Sequence, residues 1–374
     1  MSTVLLAILV ASTCSVVGVI WDISWHRTIG RDTFWSPPHL AIYAGGIVAG
    51  LVSGVQVLRA TFGASVAARD GAVTVLGFRG PLGGWLAIWG GLAMATSAGF
   101  DNWWHDAYGL DARILSPPHV LLALGIIAIQ VGAIVTALAR QNAGAGGASL
   151  GLACAWSAAI VIAMTGTLLM NLVGYANTMH TSLYYIAAAL PFPLFLVAFG
   201  QGTRLPWPAT TTAALYMAMV LAMVWILPRF AGEPALAPIY TRVDRFVPPP
   251  WPMLLVAPAL AVDLVLRATP TWPTGRRALA LGAAFVLALL VVQWPFGAWQ
   301  LSPGARNWFF AADQWEFSGR VSAWRYRFWR WEDAVAGAWA PLAFAGGVLV
   351  AIGVASATAR VGLRWGAWMR EVRR

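Results

Sequence analysis

Apolar runs of roughly 18 residues or more recur from one end of the chain to the other, and no other feature limits its fold as much. A run of that length is what one α-helix needs to cross the hydrocarbon core of a bilayer. The first extends from Val4 to Ile20 and leads directly into Trp21-Asp22-Ile23-Ser24-Trp25-His26. It lacks the basic stretch that precedes a secretory signal, so it reads as a spanning helix. Only 10% of the residues are charged, against about a quarter in a soluble domain. The period-2 alternation of a membrane β-barrel is absent. The fold class is therefore all-α: a polytopic integral membrane helical bundle. About ten transmembrane helices are expected, near 4–25, 38–59, 82–104, 118–139, 149–171, 182–200, 208–227, 252–267, 277–298 and 336–359.

Within this apolar chain one polar pattern occurs twice. The first copy runs from Asp22 through His26, Gly30 and Asp32 to Ser36-Pro37-Pro38-His39. The second runs from Asp101 through His105, Gly109 and Asp111 to Ser116-Pro117-Pro118-His119. Four of the five histidines sit in these copies, and the fifth is His180. Asp and His four apart share one helix face, a ready pair of ligands for a metal ion. Proline is tolerated in the first helical turn, so His39 and His119 open the following helices. A helix–turn–helix hairpin folds that histidine back onto the Asp/His face. One carboxylate and two imidazoles suit copper, zinc or iron. The candidate ligands are Asp22, His26 and His39 in one copy and Asp101, His105 and His119 in the other. Asp32 and Asp111 read as acceptors for ring N–H groups, or as partners of Arg31 and Arg113. Asn177 and His180 either complete a site or hydrogen-bond within the bundle. No residue is singled out as catalytic.

The chain divides into a hairpin over 1–60, a second over 61–140, further helices over 141–227 containing Asn177 and His180, and a C-terminal part over 228–374. Hairpins 1–59 and 82–139 form an internal repeat. The segment 61–81 carries Asp70-Gly71, which predicts a small β-hairpin between 65–67 and 73–75. Two long loops, 228–251 and 300–335, are rich in proline and in Trp and Arg respectively, the second reading as an interfacial segment. Cys14 and Cys154 fall inside spans without Cys neighbours and imply no disulfide. Met164, Met170 and Met179 read as packing. Asp263, an acid inside a span, is a functional candidate unless Arg267 pairs with it.

An even number of crossings separates the two motifs, so both lie on one face. That face receives 11 arginines and 11 acids, the other 13 arginines with Asp70 and Glu371. The positive-inside rule places the second face, with both termini, in the cytoplasm, and the metal motifs outside a bacterial inner membrane. The net charge of +10 thus reflects orientation in a lipid bilayer, with no nucleic-acid module in evidence.

Asp22-Ile23-Ser24-Trp25-His26, followed by Arg31-Asp32-Thr33 and Pro37-Pro38-His39, resembles the copper membrane monooxygenase family. The likeness is to the membrane-embedded chain of the particulate methane and ammonia monooxygenases that bears this motif in a helix and the turn after it. That resemblance implies copper on Asp22, His26 and His39, other membrane subunits as partners, and an oxidoreductase acting on a small apolar substrate. The second copy departs from the pattern at Leu110 and Ala112 and has one extra residue before Ser116. A downstream Asn–His pair of the family has its nearest counterpart in Asn177 and His180, one residue shorter. The residues also admit two other readings: a transporter or metal-delivery protein, and a structural membrane protein with a bound ion.

Overall fold

The paired prolines each open a helix, where the missing N–H is not needed. In the computed structural model, Ser36 and Ser116 are the N-caps of α2 (Pro37–Phe62) and α4 (Pro117–Asn142), and His39 and His119 follow in the first turns. The helices before them are α1 (Thr3–Thr28) and α3 (Leu82–Tyr108). The chain continues through α5 (Gly147–Leu172), α6 (Ser182–Ala189), α7 (Phe192–Gly202), α8 (Pro208–Ile226), α9 (Val256–Ala268), α10 (Thr274–Gln300), α11 (Trp331–Ala336) and α12 (Ala340–Met369). The structure describes residues 2–29, 34–63, 72–109, 116–144, 147–172, 176–232, 244–249, 251–305, 307, 309 and 327–373.

The protein is an all-α bundle. Among the described residues the only sheet is a two-stranded one, β1 (Val73–Val75) antiparallel to β2 (Phe78–Gly80). Its turn is Leu76-Gly77, both with positive φ (50° and 84°), the pairing that matches hairpin twist. Val73–Val75 is thus the first strand of the hairpin and not, as expected, the second. The strand expected at 65–67 lies outside the described residues.

Eight segments among the described residues are long and apolar enough to cross a membrane, against about ten expected. The two that differ are α3 and α9. α3 has full length, 27 residues, but its glycines and tryptophans dilute its apolarity. α9 has only 13 residues. The span expected over 182–200 is interrupted at Pro191, where α6 ends and α7 begins.

The chain forms two compact units, one of residues 1–23, 31–160 and 370–374, the other of 24–30 and 161–369. In the first, the two hairpins cross through small residues in one register. A Cβ on Gly45 would run into Ser15 Oγ and the Ala11 carbonyl. At the matching place a Cβ on Gly125 would lie 2.7 Å from Met94 Cγ and 2.8 Å from the Gly90 carbonyl. Gly18, whose Cβ would meet the Pro38 carbonyl at 3.0 Å, corresponds to Ser97, whose hydroxyl donates to the Pro118 carbonyl at 2.8 Å. Close backbone approach through small residues is how helices associate where water does not drive them together. The contacts follow an offset of 79 positions between α1 and α3 (Asp22 to Asp101) and 80 between α2 and α4 (His39 to His119). The internal repeat is therefore a repeat of packing as well as of sequence.

In the second unit α12 lies against α6, α7 and α10, and α9 against α8 and α10. Two buried acids there are consumed by helix ends. Asp263 on α9 accepts from the N–H groups of Ala209 (3.2 Å) and Thr210 (2.8 Å) and from the Thr210 hydroxyl (2.7 Å). It satisfies donors that the first turn of α8 would otherwise leave orphaned. Arg267 instead stacks on Trp207 and donates to the Pro206 carbonyl. Glu332, fully buried, accepts from Ser182 N (2.7 Å) and Thr181 Oγ1 (2.9 Å) at the start of α6. Replacing Asp263 by alanine is expected to cost about 2 kcal/mol, the range for losing a cap and stranding its donors. A thermal melt in detergent checks this, and an unchanged midpoint would remove the capping role.

Candidate metal centre

Asp22 and His26 stand one turn apart near the end of α1, and His39 stands in the first turn of α2. Each offers one ligand atom, and the three atoms lie within 4.8 Å of one another. Among the described residues no other three His, Cys, Asp or Glu side chains are so gathered. His39 Nε2 is 3.3 Å from Asp22 Oδ1. A charge-assisted hydrogen bond would bring these atoms to about 2.7–2.9 Å. The observed spacing is compatible with two neighbouring ligands on a tetrahedral ion, roughly 3.3 Å apart. The Asp22 and His39 side chains are largely buried, while His26 is exposed. The His39 ring lies against Tyr43 one turn further on, with centroids 5.9 Å apart, and Tyr43 in turn meets Phe34 at 5.1 Å.

The sequence pattern also holds a residue whose part it does not reveal. Ser24 Oγ accepts from Val247 N at 2.7 Å, tying the 244–249 segment to the end of α1. Gly232 sits where a side chain would strike the Trp25 ring, and its N–H donates to the Asp244 carbonyl at 2.9 Å. A Ser amid Asp, Trp and His gives no hint of a partner more than two hundred residues away.

In the second hairpin Asp101 stands between both imidazoles. His105 Nε2 is 3.5 Å from its Oδ2 and His119 Nε2 is 3.4 Å from its Oδ1. His119 is held from behind by its own N–H, which donates to Ser116 Oγ at 3.4 Å. His105 Nδ1 lies 3.2 Å from the carbonyl of Gly109, the residue with φ 83° that ends α3.

His180 is placed otherwise. Its Nε2 donates to the Trp294 carbonyl at 2.8 Å, and its ring is sandwiched between Trp294 (4.0 Å) and Phe328 (3.6 Å). Burial in this aromatic stack holds its pKa below the ordinary imidazole value. The main-chain carbonyl of nearby Asn177 accepts from Trp329 N at 3.0 Å, its side-chain Oδ1 is buried with no hydrogen-bond partner among the described residues, and Met179 Sδ accepts from Gln293 Nε2 at 3.4 Å. Arg31, Asp32, Asp111 and Arg113 lie outside the described residues.

No family model, no curated protein sequence and no solved structure matches this chain.

Proposed function

We propose that the chain is a copper-binding integral membrane protein whose resident centre is held by Asp22, His26 and His39, working with other membrane subunits in a monooxygenase-type complex that oxidises a small apolar substrate. The observation that carries this reading is the convergence of one carboxylate and two imidazoles from two helices to within 4.8 Å. Copper, when bound, supplies redox chemistry toward dioxygen. The chain's own residues supply position: α1 and α2 hold the three donors, and the hydrogen bond from Val247 N to Ser24 Oγ tethers the end of α1. Three protein donors leave room in a four-coordinate shell, as a centre that reacts with small molecules requires. We place the centre on the extracytoplasmic face, with both termini in the cytoplasm, on the strength of the arginine excess at the opposite loops.

The capping of α8 by Asp263 weakens the carrier reading, since it engages a buried acid that could otherwise serve as a polar step across the bilayer. The test is elemental analysis of protein purified anaerobically from membranes, joined to dioxygen uptake with a reductant and small hydrocarbons. Copper in the protein and reductant-dependent uptake that His26→Ala abolishes are expected. Bound zinc with no uptake would reduce the centre to a structural ion. A reporter fused after Arg374 should be active only in the cytoplasm; activity outside would invert the topology.

A further inference from the structure

We propose that Asp101, His105 and His119 form a second, self-contained site for a borderline divalent ion such as copper or zinc. The proposal builds on the metal-binding reading of the first hairpin but stands on geometry of its own. A carbonyl oxygen can only accept, so the 3.2 Å contact from His105 to the Gly109 carbonyl makes Nδ1 the donor nitrogen of that ring. In the neutral ring the Nε2 lone pair of His105 then points at Asp101 Oδ2, 3.5 Å away. A lone pair facing a carboxylate repels it, and a cation between them turns both contacts attractive. The same carboxylate shows a second sign of a missing partner. Asp101 Oδ1 is buried and accepts no hydrogen bond, although His119 Nε2 lies 3.4 Å from it. Both separations exceed a charge-assisted hydrogen bond and leave room for an ion on either side of the carboxylate, in a triad less closely gathered than the first.

The surroundings fit that use. A carbonyl behind a ligating imidazole fixes its tautomer and orientation. Gly109 reaches its φ of 83° without strain, and that turn is what aims its carbonyl back at His105. The crossing that brings α3 and α4 together repeats that of α1 and α2, through Gly125, Gly90 and Ser97. In the second centre, Asp101 offers one oxygen to each imidazole and can chelate. The position of Ser24, which tethers a loop beside the first centre, is taken in the second by Trp103, 55% exposed.

The experiment titrates metal-stripped, detergent-purified full chain with Co(II), read by visible absorption and by metal content after gel filtration. Wild type is expected to hold two ions, His119→Ala one, His39→Ala one and the double variant none. Asp101→Asn repeats the second-site test without removing a ring. Gly109→Ala, which disturbs the aim of the carbonyl, is expected to weaken the second ion about tenfold and leave the first unchanged. One ion in wild type, kept by His119→Ala and lost by His39→Ala, would overturn the second site and leave the first intact. Two ions that survive His39→Ala would instead overturn the first. Retention of the first ion by each second-site variant shows that it has folded.

Discussion

Replacing His39 by alanine is expected to weaken Cu(II) binding at the first hairpin by more than about 100-fold, or roughly 2.7 kcal/mol at 25 °C. Losing only an outer partner of a ligating group costs about 10–100-fold, and His39 is itself one of three donors. The remaining pair, Asp22 and His26, lies on one helix and leaves the ion a two-donor shell. The fold should not change, because the α2 start rests on the Ser36 carbonyl, which accepts from Leu40 N, and on the two prolines, and the crossing below it on Gly18 and Gly45. Competition against a chelator of known affinity measures the change, and a far-ultraviolet spectrum checks the helices. Affinity within threefold of wild type would show that the three side chains do not act as one shell.

A leucine at Gly90 should severely damage the fold of the second hairpin. Any Cβ there comes to 2.6 Å from the Gly125 carbonyl and 2.7 Å from Ile129 Cγ1, both on α4. Neither a carbonyl nor a helix backbone can rotate away, so α3 and α4 must separate. Overpacking costs about 1–3 kcal/mol where side chains can shift, and a backbone obstacle puts the expected loss at the top of that range or above. The separation also parts Asp101 and His105 on α3 from His119 on α4, so the second ion should be lost and the first kept. Gly99→Ala on the same helix is the control, since nothing lies within 4 Å of the added Cβ and alanine favours the helix. Equal thermal midpoints for Gly90→Leu and wild type would contradict the close crossing.

How much of this was legible in the residues follows from the range of each interaction. Ser36-Pro37-Pro38-His39 and its copy announce helix starts because the chemistry is local, and both helices begin there. Asp22 and His26 share a face because they are four apart, and the hairpin does the rest. Partners across the fold left no such trace: Asp263 caps a helix 54 residues earlier, and His180 donates to a carbonyl 114 residues later. Leu76 at φ 50° defied its residue type, since an Asp-Gly pair nearby was the stronger turn signal and the strands paired elsewhere. Pro191 was visible in the sequence, but the apolar run on either side of it read as one span and hid the break.

The change of offset from 79 to 80 positions has a meaning for ancestry. The extra residue of the second copy falls between Asp111 and Ser116, and the helices on either side cross at the same positions as in the first. The turn is thus a joint whose length evolution can alter without touching the crossing that gathers the ligands. A hairpin of this kind is a heritable module, and a half-length forebear could have built the paired arrangement by associating with a copy of itself. Gly18 against Ser97 and Ser24 against Trp103 mark where the two copies differ within that shared frame.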